Sequence, residues 1–291
     1  MEQQFIIEKA TEEELKTFYK KVKEYNSEKV SLLKDQKIER ICKVIRDSEG
    51  NIIAGANAVI FHNLKAVELD ILWVKEEYRR GRYGTMLIQA VEKEAFEKGV
   101  TLMYLGTLGF QARGFYEKKG YELYAILKEC ALNNSSYFLR KKLGSSIDEY
   151  TISDLIENGT VNDAEFIDDS IVVFNRQQLL PTNKAFFYDI NRVIKDSKGN
   201  IIAGIAATVF QWNDLHIHGL WASKEYLQEN IKDKLINHIE KELKDYGGHL
   251  IWLETYDSEA KDMYVKNGYE VFGVLEDYSV DCRAYYLKKI I

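Results

Sequence analysis

Between Arg79 and Gly84 the chain reads RRGRYG, three arginines and two glycines in six residues, and then enters an apolar helical pattern. A loop of this kind ahead of a helix is suited to an anion. The first amides of a helix have no intrahelical acceptor and sit at its positive end, glycine lets the backbone come close, and arginine adds paired, charge-assisted hydrogen bonds. The same composition also describes a solvated basic turn, and the loop alone leaves both readings open. Eleven residues before Arg79, Glu68 stands two residues from Asp70 in AVELDILWV, a spacing that puts both carboxylates on one face of a β-strand. A carboxylate there either faces solvent or takes a proton from an amine, which with a pKa of about 10.4 is otherwise charged at neutral pH.

The elements that must hold these groups are written twice. VIRDSEGNIIAG at 44–55 returns as VIKDSKGNIIAG at 193–204, ten of twelve residues identical at an offset of 149. From Trp73 onward the offset is 148, pairing Trp73 with Trp221, Thr107 with Thr255, Tyr116 with Tyr264 and Gly120 with Gly268. A period this long marks a duplicated domain rather than a solenoid repeat. The linker-like Gly144-Ser145-Ser146 divides the chain into residues 1–144 and 145–291.

Within the first copy, Thr11 and Glu14 predict a capping box ahead of an early helix, followed by a hairpin turning at Gly50 and Asn51. The strand AVELDILWV leads into the arginine loop, and a helix is expected over Thr85–Lys98, closed by Gly99. Strand TLMYLGT, helix QARGFYEKK and strands YELYAIL and SYFLRKK complete the order. This alternation predicts an α/β, mixed α+β fold with helices packed on the faces of a sheet.

Read together, the loop and FQARGFYEKKGYEL make residues 68–127 resemble the GNAT superfamily of acetyl-CoA-dependent N-acetyltransferases. In that family a strand like LWV is followed by R/Q-x-x-G-x-G/A and a helix that grips the coenzyme A pyrophosphate, and A-x-x-FYEK-x-GY forms the next cofactor-contacting helix. The resemblance implies two tandem folds, each a mostly antiparallel twisted sheet with helices on both faces. It implies acetyl-CoA as cosubstrate, with no metal, held by Leu72, Trp73, Val74, Arg79, Arg80, Gly81, Arg82, Tyr83, Gly84, Thr85, Gln111 and Tyr116. It further implies Tyr116 as the acid that protonates the departing thiolate and Glu68 as the general base, with Asp70 beside it, in direct attack of a primary amine on the thioester. One position departs from the pattern: Arg82 stands where the family has its first glycine, and Gly81 comes one residue early.

The second copy has LQENIK at 227–232 in place of RRGRYG, losing all three arginines and both glycines, with Glu229 at the anion position. Glu68 and Asp70 become His216 and His218, two candidate bases or metal ligands with no third ligand suggested nearby. The expectation is an active first copy and a degenerate second one. A non-catalytic acetyl-CoA-binding or regulatory protein is the rival class.

Charge divides with the repeat. Residues 1–143 carry 25 basic and 21 acidic side chains, a net +4, and residues 144–291 carry 15 and 25, a net −10, giving −6 for the chain. An acidic half speaks against nucleic acid and suits a cationic partner, here a small-molecule or peptide amine acceptor. Cys42, Cys130 and Cys282 are scattered and odd in number, against a disulfide framework or zinc site. The acidic N-terminal stretch and the absence of a long apolar run predict a cytoplasmic protein without a membrane partner. Oligomeric state is left open by the sequence.

Overall fold

The computed structural model describes residues 5–132, 134–179, 187–279 and 282–291. The first copy runs β1 (Ile7–Lys9), α1 (Glu12–Lys29), β2 (Ile38–Arg46), β3 (Ile52–Phe61), β4 (Ala66–Val74), α2 (Tyr83–Glu97), β5 (Leu102–Leu108), α3 (Arg113–Glu117), β6 (Glu122–Cys130) and β7 (Asn134–Lys142). The second runs β8 (Ile156–Asn158), α4 (Val161–Gln178), β9 (Phe187–Lys195), β10 (Ile201–Phe210), β11 (Asp214–Ala222), α5 (Ile231–Asp245), β12 (Leu250–Thr255), α6 (Ser258–Lys266), β13 (Glu270–Ser279) and β14 (Cys282–Ile290). Local chemistry sets the boundaries. Thr11 and Glu14 form the capping box of α1, and Thr160 and Asp163 form that of α4. In the β2–β3 hairpin Asp47 accepts from the amides of Glu49 and Asn51, and Gly50 takes a φ of +86° open to glycine.

Among the described residues the strands make one fourteen-stranded sheet in the order β1-β9-β10-β11-β12-β14-β13-β6-β7-β5-β4-β3-β2-β8. The chain is therefore two similar sheets joined at β13 and β6, where Gly273 pairs with Ala125. Pairing is antiparallel except between β4 and β5 and between β11 and β12. Three cores follow. One lies between the first sheet and α2, a second between the second sheet and α5, and a third, rich in tyrosine, joins the copies across Tyr104, Phe138, Tyr278 and Tyr286.

The first strand and helix of each copy are exchanged. β1 pairs with β9 and α1 packs on β10 and β11, whereas β8 pairs with β2 and α4 packs on β3 and β4. The glycine that ends the repeated twelve-residue segment makes this possible. A Cβ on Gly204 would lie 2.7 Å from the Phe18 ring of α1, and Ile167 of α4 fills the same space above Gly55. Ion pairs fasten each helix to its host, Arg46 to Asp163 at 2.8 Å and Lys195 to Glu14 at 2.9 Å. In space each sheet is completed by the opening elements of the other copy. The three cysteines are free. Among the described residues no helix is long and apolar enough to cross a membrane.

Candidate active site

β4 and β5 pair only from Ala66–Leu102 to Leu69–Leu105, although both strands continue. Beyond that point they part. The polar backbone groups of β4 facing the gap lose their β5 partners and must find others, which makes the gap receptive to an amide-bearing chain. A bulge in the β3–β4 pairing at the same level, where Asn57 pairs with Ile71 and Ala58 with Leu69, leaves Asp70 as the extra residue. The bulge turns its carboxylate into a cleft of ≈ 550 Å³.

That cleft collects most of the residues expected from sequence. Asp70, Leu72, Trp73, Val74, Arg79, Arg80, Arg82, Tyr83, Gly84, Thr85, Gln111 and Tyr116 all line it, together with Ile171 and Phe174 of α4. Gly81 and Glu68 are set back from it. An added Cβ on Gly81 would meet the Tyr83 ring at 2.7 Å, so this glycine lets Tyr83 fold over the loop. Glu68 turns towards Tyr104, whose hydroxyl donates to Glu68 Oε2 at 3.3 Å. Burial, and then the charges of Asp70 and Glu254, push the Glu68 carboxyl up to about 8. Asp70 lines the cleft, where desolvation by the walls pushes its carboxyl up to about 6, with Arg40 pulling it down and Asp168 pushing it further up.

The start of α2 has the form of an anion site. Helix α2 begins at Tyr83, two residues before Thr85, and its first bond across the cap runs from Met86 N to Arg82 O at 3.0 Å. The amides of Tyr83, Gly84 and Thr85 precede that bond and have no acceptor within the helix. Arg82, in the glycine position of the family pattern, adopts the left-handed conformation with φ +67°, and so does Arg80. The second copy has Asn230 at the matching position, also left-handed at φ +52°. The fold therefore demands this conformation, and asparagine, unlike arginine, adopts it readily. An arginine there carries a local backbone cost of about 1 kcal/mol. Arg79 donates from Nε to Val74 O at 3.2 Å.

Tyr116, on α3, is 6 % exposed and reaches the cleft wall, and burial raises its hydroxyl well above the usual range, keeping it a proton donor at neutral pH. Gln111 is bound within the protein: Oε1 accepts from Leu108 N at 2.8 Å, and Nε2 donates to Asn175 Oδ1 of α4 at 2.8 Å. It fixes the approach to α3 and ties it to the exchanged helix. The wall supplied by Ile171 and Phe174 was invisible to sequence reasoning, because each copy was read as self-contained.

The corresponding place in the second copy is smaller. Its cavity is ≈ 160 Å³, lined by Tyr25 and Lys29 of α1 and by Lys232, which replaces Gly84. The Lys232 ammonium lies 5.0 Å from the centre of the Tyr25 ring, and Tyr25 donates to Asp257 at 3.1 Å. The side chain of Glu229, expected at the anion position, lies outside the described residues. His216 stacks on Trp252 and bonds Glu254 at 2.7 Å, while His218 bonds Thr208 at 2.8 Å and is driven down to about 4 by burial and by His216. Among the described residues no group of three or more His, Cys, Asp or Glu could hold a metal.

The model of the Acetyltransferase (GNAT) family matches the chain twice, at residues 7–121 and 157–269. The chain belongs to the GNAT family. The two matches are two tandem GNAT folds whose strands join in one mixed sheet. An uncharacterised N-acetyltransferase of Chlorobaculum tepidum is 32 % identical over 90 residues, which are 29 % of this chain and 56 % of that protein. The chain thus spans about half the length of this curated relative. An acetyltransferase from Bacillus cereus is 32 % identical, covering 47 % of this chain and 96 % of that one with a TM-score of 0.44. An aminoglycoside 6'-N-acetyltransferase solved with coenzyme A is 18 % identical, covering 48 % and 97 % with a TM-score of 0.34.

Proposed function

We propose that the chain is an acetyl-CoA-dependent N-acetyltransferase that works in the cleft of the first copy. The observation that carries this reading is the convergence on one ≈ 550 Å³ cleft of the free α2 terminus with its arginines, the unpaired edge of β4, Asp70 and Tyr116. The α2 amides and Arg82 bind the pyrophosphate, and the backbone of Ile71–Val74 holds the pantetheine and the thioester carbonyl. Asp70, held up to about 6, is ionised at neutral pH and takes the proton of the attacking amine. Glu68, held up to about 8, stays mostly protonated there and supports Asp70 from behind. Tyr116 gives its proton to the leaving thiolate, which with a pKa near 8.5 needs only modest help.

Lys232 supports an inactive second cleft. It puts an ammonium where the first copy has Gly84, and only ≈ 160 Å³ is left free. Calorimetry of the full chain with acetyl-CoA should therefore give one site per chain, and a screen of primary amines should show thiol release. Binding without turnover of any amine would favour the regulatory reading, and two equivalent sites would remove the assignment of the second copy as degenerate.

A further inference from the structure

The second copy keeps the backbone that opens a slot in the first and changes what lines it. β11 and β12 pair only from Asp214–Leu250 to Ile217–Leu253, although β11 runs on to Ala222 and β12 to Thr255. His218 is the extra residue of the β10–β11 bulge, as Asp70 is of the β3–β4 bulge. Where the strands part there is a cavity of ≈ 160 Å³, and α1 adds Val22 and Tyr25 to its walls. A cavity of about 150 Å³ takes up benzene, so this one suits a ligand of about six heavy atoms rather than a coenzyme.

The charged groups that line it divide into those already paired and those that are not. Lys29 is bonded to Glu259, and Asp257 accepts from Tyr25 at 3.1 Å and from the Glu259 amide at 2.9 Å. Lys232 is different. Its ammonium lies 5.0 Å from the centre of the Tyr25 ring and forms no ion pair among the described residues, although burial disfavours its charge and lowers its pKa from the ordinary lysine value. Glu254 bonds His216 through Oε2 at 2.7 Å and still has 36 % of its side chain exposed. Tyr264 is only 4 % exposed, and its hydroxyl bonds none of the described residues. A buried hydroxyl and a desolvated ammonium without partners are costly, and each can be satisfied by an acceptor.

The balance of charge differs between the two sites. The first cleft sets Arg79, Arg80 and Arg82 against the one carboxylate of Asp70, which suits a polyanion. The second sets Lys29 and Lys232 against Glu254 and Asp257. With one cation and one anion of that set still open, the matching ligand is neutral overall and carries both charges. A zwitterion does this: its carboxylate accepts from Lys232 and Tyr264, and its ammonium, with three N–H bonds and no lone pair, donates to Glu254. A simple carboxylate would be repelled by Glu254, and a simple amine by Lys232.

We propose that the cavity of the second copy binds a small free α-amino acid, with its carboxylate on Lys232 and Tyr264 and its ammonium on Glu254. The site is independent of the acetyl-transfer reading and of the first cleft.

The test titrates the standard amino acids, one at a time and by calorimetry, into the full-length chain and its Lys232→Met, Glu254→Gln and Asp70→Asn variants. A lost charge-assisted hydrogen bond corresponds to roughly 10–100-fold in an equilibrium constant. A small amino acid should bind saturably at one site per chain, about tenfold or more weakly in Lys232→Met and Glu254→Gln, and equally well in Asp70→Asn. Two derivatives of the best binder give the same answer on the parent chain, whether or not the variants fold. Its amide lacks the carboxylate and its N-acetyl form lacks the ammonium, and each should bind about tenfold or more weakly. If no small amino acid binds, the site is overturned. If either derivative binds as well as the amino acid, the zwitterion is overturned, and binding lost in Asp70→Asn but kept in Lys232→Met would put the ligand in the first cleft instead.

Discussion

The guanidinium of Arg79 lies 4.7 Å from the centre of the Phe174 ring, so the cationic loop of the first copy leans on a helix of the second. The contact joins the two halves at the cleft. A cation over an aromatic face contributes about 0.5–1 kcal/mol when exposed and more when water is excluded. Ile171 beside Phe174, and the Gln111–Asn175 bond at 2.8 Å, extend the same wall.

Residues 1–143 expressed alone should therefore fail to bind acetyl-CoA and should aggregate, because removing α4 uncovers β3 and β4 along Gly55 and leaves the edge of β2 without β8. Phe174→Ala in the full chain is the milder version. It should weaken acetyl-CoA about threefold to tenfold while the fold survives. A soluble fragment that binds acetyl-CoA like the full chain would show that the exchanged helix is dispensable.

Arg82→Gly separates the two consequences of the left-handed residue at the head of α2. Glycine takes a φ of +67° without strain, so the variant should gain about 0.5–1 kcal/mol of stability from that position. It also loses a guanidinium at the phosphate end of the cleft, which should weaken acetyl-CoA by about 1.5–3 kcal/mol. Thermal melts with and without acetyl-CoA check both signs. A higher melting temperature with unchanged affinity would mean that Arg82 points away from the pyrophosphate.

What could be read from sequence was whatever depends on local order. The duplicated framework, the capping box of α1 and the strand-loop-helix at Arg79–Gly84 are contiguous, and their side-chain pattern requires no knowledge of neighbours. The exchange of α1 and α4 was hidden for a physical reason: both copies have the same order of elements, and an amphipathic helix buries the same face on either sheet. Gly55 and Gly204 carried a trace of it, as repeated glycines where a helix crosses closely. The bulge at Asp70 was likewise hidden, because alternation assigns Glu68 and Asp70 to one face but cannot show that one enters the cleft and the other packs on Tyr104.

Tyr116→Phe should lower turnover with little change in acetyl-CoA affinity. The ring is buried against Phe115 and Tyr121, and phenylalanine preserves that packing. The variant therefore lacks only the proton. General-acid help at a thiolate leaving group is typically worth about 100-fold or more, and less where the thiol is already a fair leaving group. A drop in kcat that shrinks with a more acidic thiol ester would identify the lost acid, and a parent-like rate would exclude Tyr116 from that role.

Glu68 gives a stability prediction with a definite sign. Its carboxyl is held up to about 8 in the folded chain against an ordinary 4.5, first by burial and then by Asp70 and Glu254, while the Tyr104 hydroxyl acts the other way. Between those two pH values the unfolded chain ionises Glu68 and the folded chain keeps its proton. Folding therefore takes up a proton, and the contribution of this group is full below 4.5 and lost as pH rises towards 8. Glutamine keeps the acceptor for Tyr104 and never ionises. Glu68→Gln should consequently match the parent chain at acidic pH and exceed it at alkaline pH, by an amount on the order of 2–4 kcal/mol. Thermal melts of both proteins near pH 5 and above pH 8 provide the comparison. A gap that is constant across pH would show that Glu68 ionises normally, and a gap that opens on the acidic side would show that its carboxylate is stabilised rather than suppressed by its surroundings.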